Sequence, residues 1–339
     1  MHSTEIIDVH AHVYPEGCFT EVLKSRTDFK LVDNPRGQSL LYRGSHVMSM
    51  PMEQDNLRKR LASMDDAGIG MAILSVGALN IGWAGSGDAA AARFVNDGLA
   101  AVCRQQPARF RFVAVLPCTN HAALVKELDR ALGLGAAGVG IATNVGDLEL
   151  HAPELRNFWQ EMNHRKLMVL VHPTCPCDVP QNDPGTFLSV GYPGETAMAA
   201  TKLALSGVIQ QCPDVKIVWS HLGGGLPMVL DRIDRGYQRF SSCPHPPSTY
   251  LRRCYFDTAC THGPALECAY ATWGAKALVL GTDVPHVPNT EKETVAALKA
   301  RCWSDSELEG ILGGTVRQLL AYCLKICKEE NPHDGLHLR

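Results

Sequence analysis

The stretch IIDVHAHVYP, residues 6–15, contains an apolar run that ends in two histidines separated by one residue. A nearly continuous apolar run is typical of a strand that is buried on both faces of a parallel sheet. Histidine is unusual among the isoleucines and valines of such a strand, so His10 and His12 require an explanation. Because side chains alternate along a strand, the two imidazoles share one face, about 6.7 Å apart along the chain.

Seven similar apolar runs follow, most of them rich in Val, Ile and Leu, with turns and amphipathic helical stretches between them. The eight runs span residues 5–12, 71–77, 110–117, 137–143, 167–173, 216–223, 254–259 and 277–283. Eight strand-then-helix units are the number found in a closed (β/α)₈ barrel, so the sequence predicts an α/β fold of the TIM-barrel type. We expect one domain over residues 1–339, with a small insertion after the first strand at about 13–55 and a solvated tail at about 328–339.

The composition is that of an ordinary globular protein, with 45% hydrophobic and 20% charged residues among 339. A formal net charge of −3 gives no electrostatic reason to expect binding to nucleic acid or to a membrane surface. No signal peptide and no apolar run long enough to span a bilayer is recognisable. The 13 cysteines are scattered in apolar contexts, which favours reduced thiols and a cytoplasmic location.

Further polar residues stand where other strands end. His172 ends the fifth run, His221 lies in the last part of the sixth and Asp283 ends the eighth. In a closed barrel the carboxyl ends of the strands surround one mouth, so these side chains can converge with the first two histidines on a metal ion. Imidazoles with one carboxylate suit zinc, or another divalent transition metal, better than magnesium or calcium. Asp8 is a candidate for hydrogen bonding to a histidine ligand.

Four motifs follow these strands in order: Asp-x-His-x-His, His-Pro, Ser-His-x-Gly-Gly-Gly and Gly-Thr-Asp-x-Pro. Together with segments such as MDDAGI and RFRFVAVLP, they resemble the amidohydrolase superfamily, in particular its branch of aminocarboxymuconate semialdehyde decarboxylase-like enzymes. The similarity covers residues 6–322.

The resemblance implies one zinc ion per subunit, with Mn²⁺ as another possible metal. Its expected ligands are His10, His12, His172 and Asp283, and His221 is the expected acid/base group that acts on a metal-activated water. The fourth-strand segment GIATN contains no lysine, so the bridging lysine of binuclear members has no counterpart and a mononuclear site is expected.

The resemblance also suggests residues that bind the substrate. Arg43 resembles an arginine that binds a substrate carboxylate, and Trp83 resembles an aromatic residue of the pocket. Arg239 lies near the position of an arginine that a neighbouring subunit contributes, which implies a homodimer; Arg232 and Arg235 are rivals for that role. Each arginine could instead be a solvated surface residue, and the tryptophan could instead be packed in the core.

Several residues near the expected metal depart from the pattern of the resembling decarboxylase. Thr174 and Val284 replace aromatic residues beside two of the motifs, so the substrate of that enzyme is not assumed for this chain. His286 could face the mouth, although an ordinary loop position is the simpler interpretation. Cys175 and Cys177 are interpreted as loop thiols, because no matching cysteine pair stands elsewhere at a useful spacing.

The predicted function is therefore non-oxidative decarboxylation of a small unsaturated or aromatic carboxylic acid, with His221 and Asp283 as acid/base groups. The same activated water could instead make the protein a hydrolase or hydratase of a lactone, an amide or an activated double bond. A barrel that binds metal without catalysis is a third interpretation. It does not explain why so many site residues are present, because a barrel folds without them.

Overall fold

The structure is a computed structural model that describes residues 5–35, 37–51, 57–174, 184–286 and 290–321. Its centre is a parallel sheet of eight strands, which we number in chain order. They are β1 Ile6–His12, β2 Ile69–Ser75, β3 Phe110–Ala114, β4 Ala136–Ala142, β5 Met168–His172, β6 Lys216–Trp219, β7 Tyr255–Asp257 and β8 Leu278–Val279. Each of the eight apolar runs that the sequence contains forms one of these strands.

The strands pair in chain order from β1 to β8, and the sheet then closes on itself. The amide of Val9 on β1 donates to the carbonyl of Leu280 just beyond β8, at 2.9 Å. A bridge between Ala11 and Val284 continues this seam toward the carboxyl ends of the strands. The fold is thus the (β/α)₈ TIM barrel that the sequence predicts, and the ends of β1 and β8 are neighbours at its mouth.

Helices surround the sheet and cover its outer face with apolar side chains. In the helix Asp88–Gln105 the buried residues include Ala91, Val95 and Leu99, which recur at helical spacing. Other α-helices are Cys18–Leu23, Leu57–Ala67, His121–Gly133, Arg156–His164, Tyr192–Leu205, Val208–Gln211, Leu226–Asp234, Pro247–Leu251, Gly263–Trp273, Thr290–Lys299 and Asp305–Glu309.

The insertion after β1 has more structure than its polar sequence suggests. After the helix Cys18–Leu23 it forms a three-stranded antiparallel sheet from Phe29–Asn34, Gly37–Tyr42 and Ser45–Pro51. Alternate residues of this sheet, such as Leu40 and Met48, are buried, whereas the first strand is largely exposed along its length. The polar residues therefore occupy one face of a sheet rather than a long irregular loop.

The described cysteines agree with the expectation of reduced thiols. All nine that lie within the described ranges are free, and six of them are buried. None of the helices in the described part of the chain combines the length and the apolar character that crossing a bilayer requires. The single-domain organisation over residues 1–339 stays a prediction, and the expected tail at 328–339 lies outside the described residues.

Candidate metal centre

Five side chains of interest meet at the mouth of the barrel. His10 and His12 lie at the end of β1 and His172 ends β5; the side chains of all three are buried. His221 and Asp283 lie in the turns beyond β6 and β8 instead of on the strands, in contrast to the sequence expectation. The reason is local: both residues have positive φ angles, 55° and 62°, which no extended strand allows.

The nitrogen and oxygen atoms that face inward are close to one another. Nε2 of His10 lies 3.0 Å from Nε2 of His12, and Oδ1 of Asp283 lies 2.9 Å from Nε2 of His12. Nε2 of His221 lies 3.4 Å from Oδ2 of Asp283. Ligand atoms of His10, His172, His221 and Asp283 all fall within 4.8 Å of one another. The geometry therefore brings together all five residues and does not by itself divide them into ligands and acid/base groups.

Hydrogen bonds on the outer side of the imidazoles orient them. Nδ1 of His10 donates to Oδ2 of Asp257 at 2.7 Å, and Nδ1 of His172 donates to the carbonyl of Pro173 at 2.7 Å. Nδ1 of His12 pairs with the hydroxyl of Ser75 at 2.8 Å. When Nδ1 carries the proton, Nε2 presents a lone pair, and in each of the three rings Nε2 is the atom that faces the centre.

Asp8 has a different role from the one expected. Its carboxylate accepts hydrogen bonds from the backbone amide of His10 at 3.0 Å and from the amide and hydroxyl of Thr282 at 3.1 and 2.6 Å. Alternation turns its side chain away from the face that carries the two imidazoles, so it holds the backbone of β1 against the segment after β8. The hydrogen-bond partner of the His10 ring is Asp257.

Sequence reasoning missed this aspartate, although a signal existed. Asp257 lies in the seventh apolar run as YFDTA, at the same strand-end position that drew attention to the other site residues. A second missed residue is the buried Arg60, whose Nη2 donates to the carbonyl oxygen of His12 at 2.6 Å. Ser75, at the end of β2, is a third.

The residues at the centre fit a divalent metal ion. Nε2 of His172 is buried and finds no hydrogen-bond partner among the described residues, although it points toward the other ligand atoms. Burial holds the pKa of His12 well below its usual value and lowers that of His172 to about 4, so both rings are neutral, as metal ligands must be. A set of imidazoles and a carboxylate is typical of zinc, manganese and other transition metals.

The charges of two carboxylates favour a cation at this point. Burial alone would raise the pKa of Asp283, but the charge of His10 and the neighbouring imidazoles hold it well below its usual range. Burial alone would lower the pKa of His10, but Asp257 and Asp283 raise it well above its usual value. A protonated His10 supplies the positive charge that these carboxylates require, and a metal ion bound at its Nε2 would supply that charge in place of the Nε2 proton.

The predicted substrate-binding residues lie at three separate places. Trp83 is 1% exposed, with its ring 4.9 Å from that of Phe29, which agrees with the alternative of a core tryptophan. Arg43 is exposed at the turn between two strands of the insertion, and its guanidinium lies 5.1 Å over the ring of Tyr42. Arg239 is exposed after the helix Leu226–Asp234. None of the three contacts the centre in the described part of the chain, so their substrate-binding roles stay predictions.

The neighbouring residues that were singled out have defined positions. Thr174 is fully buried, and its hydroxyl donates a hydrogen bond to the carbonyl of Ala78 at 2.7 Å. Its side chain is therefore held in place by the second strand's loop, although it is smaller than the aromatic residue that it replaces. Val284 forms the seam between β8 and β1. The ring of His286 lies 5.1 Å from the ring of His12 at an angle of 56°, and its Nε2 accepts from the hydroxyl of Tyr14 at 2.7 Å, so it is not an ordinary loop histidine. Cys175 and Cys177 lie outside the described residues.

Comparison with known proteins adds the family context. The amidohydrolase family model matches residues 7–321. The chain is 30% identical over 244 residues to the 2-amino-3-carboxymuconate-6-semialdehyde decarboxylase of Dictyostelium discoideum, a match that covers 68% of the chain and 66% of that protein, just under two thirds. It is 30% identical over 304 residues to a 6-methylsalicylic acid decarboxylase of Aspergillus aculeatus, covering 83% and 84%.

A solved structure shares the fold at lower identity. The dihydroxybenzoic acid decarboxylase of Polaromonas sp. JS666, determined with bound manganese and the inhibitor 2-nitroresorcinol, superposes with a TM-score of 0.73 at 22% identity. The match covers 94% of this chain and 97% of that one. At this identity the similarity establishes the fold alone.

Proposed function

The chain belongs to the amidohydrolase family, and we propose that it is a metal-dependent, non-oxidative decarboxylase of a small aromatic or unsaturated carboxylic acid. The observation that carries the proposal is the convergence of buried imidazoles and the Asp283 carboxylate at one point of the barrel mouth. The names of the two sequence relatives, which are decarboxylases of carboxylic acids, favour this reaction over others that such a centre can perform.

We assign His10, His12, His172 and Asp283 as the metal ligands. The three imidazoles each have an outer hydrogen bond at Nδ1 that leaves Nε2 available. The Nδ1 atom of His221 is buried but has no such partner among the described residues. This difference supports a mobile proton on His221 and fixed lone pairs on the other three. A divalent metal ion bound here would act as a Lewis acid toward oxygen atoms of the substrate or of a water molecule.

The acid/base roles follow from the charge that the reaction creates. Loss of carbon dioxide breaks a carbon–carbon bond and leaves its electron pair on the remaining carbon, which must accept a proton. Asp283 is ionised, so it delivers a proton only after receiving one. Nε2 of His221, 3.4 Å from Oδ2 of Asp283, is placed to pass on a proton that it takes from solvent. The pair then returns to its starting state with one proton transferred to the product.

The finer features of the site belong to the same proposal. Zinc is the proposed metal, with one ion per subunit, and manganese is the alternative. Arg43 is proposed to bind the substrate carboxylate, with Trp83 supporting the wall of the pocket from the core side. The free state of the nine described cysteines supports a reducing compartment, and we place the enzyme in the cytoplasm.

We further propose a homodimer in which Arg239 binds the carboxylate of the substrate held by the other subunit. Arg239 is exposed, and the next residue, Phe240, is 77% exposed. Met228, in the helix that precedes them, is 80% exposed. Large apolar side chains with this exposure on one segment are typical of a surface that a partner covers.

The test is a product-mass assay of zinc- and manganese-loaded protein with aromatic and unsaturated carboxylic acids, lactones and amides. Loss of carbon dioxide is expected, together with a fall of at least about 100-fold in rate for His221→Asn and Asp283→Asn. His164→Asn, at an exposed helix end, is the matched control and should retain the full rate. Gain of water instead of loss of carbon dioxide would replace the decarboxylase by the hydrolase or hydratase.

A further inference from the structure

Asp257 makes hydrogen bonds to two parts of the centre that come from distant strands. Its Oδ2 accepts from Nδ1 of His10 at 2.7 Å, and its Oδ1 accepts from the backbone amide of His221 at 2.9 Å. Oδ1 also accepts from the amide of Ala259 at 3.1 Å. The residue is completely buried. Each carboxylate oxygen is therefore committed to a neighbour, and none of these partners is solvent.

The absence of a side chain at Gly281 makes the contact between Asp257 and His10 possible. Asp257 ends β7, and β8 lies between β7 and β1 in the sheet. Gly281, in the segment after β8, fills the intervening position, where a Cβ would lie 2.8 Å from Cβ of Asp257 and 2.9 Å from Cβ of His10. Any larger residue would force the two side chains apart. The glycine thus opens the path along which the carboxylate reaches the imidazole across a strand.

The second contact supports a strained turn. His221 and Leu222 both have left-handed backbone angles, with φ of 55° and 58°, which non-glycine residues adopt at a cost. Asp257 accepts a hydrogen bond from the backbone amide of His221. A hydrogen bond from an amide to a carboxylate is stronger than one to a neutral acceptor, so it stabilises the conformation that directs the His221 ring toward Asp283.

We propose that Asp257 is a positioning residue that holds a metal ligand and the acid/base histidine with one carboxylate. Through Oδ2 it fixes the His10 tautomer with the proton on Nδ1 and the lone pair on Nε2. Through Oδ1 it fixes the turn that carries His221. The proposal rests on the proposed metal centre, but it concerns the tautomer and placement of two imidazoles and not the reaction that they catalyse.

The Asp257→Asn substitution separates the two contacts. An asparagine oxygen can still accept from the amides of His221 and Ala259, but its NH₂ group then faces Nδ1 of His10 and donates to it. The proton of His10 must move to Nε2, where it blocks the lone pair. The expected result is a rise of about 10- to 100-fold in the dissociation constant of zinc, measured by competition with a chromogenic chelator.

Two spectroscopic readouts distinguish positioning from a general structural role. Nitrogen-15 spectra of labelled histidine should show a proton on Nδ1 of His10 in the zinc-loaded parent protein, and a proton on Nε2 but none on Nδ1 in zinc-free Asp257→Asn. The His221 amide proton should keep its downfield shift in Asp257→Asn and lose it in Asp257→Ala. Glu127→Gln is the matched control, because it replaces another buried carboxylate, which pairs with Asn96 and Arg130 far from these imidazoles. It should leave the zinc affinity and both signals unchanged.

Gly281→Ala tests the same contact with both partners intact. Its added methyl group should push the Asp257 carboxylate from His10 and weaken zinc binding to a similar extent, and it remains informative if Asp257→Asn does not fold. Zinc affinity within twofold of the parent protein in either folded variant, or an unchanged His10 tautomer in Asp257→Asn, would overturn the proposal. None of these readouts requires turnover, so failure of the decarboxylase assay would leave the result standing.

Discussion

The pH dependence of stability should reveal the buried carboxylate of Asp8. This side chain is 1% exposed and accepts three hydrogen bonds, two of them from Thr282, but it has no cation directly against it among the described residues. Burial, the largest influence, raises its pKa from the usual 3.8 to about 7. The folded protein therefore binds a proton at Asp8 more tightly than the unfolded chain does.

The sign and size of the effect follow from this difference. A raised pKa in the folded state contributes stability that is fully present below the unfolded pKa and is lost as the pH rises through about 7. With 1.36 kcal/mol per pH unit, the loss between about pH 4.5 and pH 8 is about 3 kcal/mol in the free energy of unfolding. Asp8→Asn is neutral at every pH and should not show this loss.

The assay is urea unfolding of the parent protein and of Asp8→Asn at both pH values, in the presence of a metal chelator. All other titrating groups are common to the two proteins, so the change in their stability difference with pH reports Asp8. Between the lower and the higher pH, the free energy of unfolding of Asp8→Asn should rise by about 3 kcal/mol relative to that of the parent protein. Asp147→Asn, an exposed carboxylate, is the control and should show little change. A stability difference that is constant within about 0.5 kcal/mol would refute the reasoning, because a charged Asp8 would then be fully compensated.

Three further predictions concern the centre and the surface. His172→Asn removes an imidazole whose Nε2 faces the ligand cluster, and zinc affinity by chelator competition should fall at least about 100-fold; an unchanged affinity would exclude it as a ligand. Ser75→Ala removes the outer partner of His12 and should weaken zinc binding about 10-fold with an unaltered circular dichroism spectrum, whereas the same loss in the control Ser206→Ala would point to an indirect effect. Phe240→Asp places a charge on the proposed dimer surface, so light scattering should show a monomer; a retained dimer would place the interface elsewhere.

The sequence by itself determined the barrel and most of the centre. Strands buried on both faces must be apolar along their whole length, so eight such runs with helices between them specify a closed parallel barrel. The same burial makes polar residues at strand ends stand out, which is why the sequence alone groups His10, His12, His172, His221 and Asp283. The parallel arrangement then brings those ends to one mouth without further information.

Only the tertiary structure decided which side chains support that group. The contact of Asp257 with His10 crosses an intervening strand through the space above Gly281, and no local pattern records such a path. The left-handed angles of His221 and Asp283 place both residues in turns, although the apolar residues beside them in the sequence predict strands. Local periodicity reports which face of an element is buried. It does not report which residues of other elements fill the space against that face, and hydrogen bonds across the barrel depend on that packing.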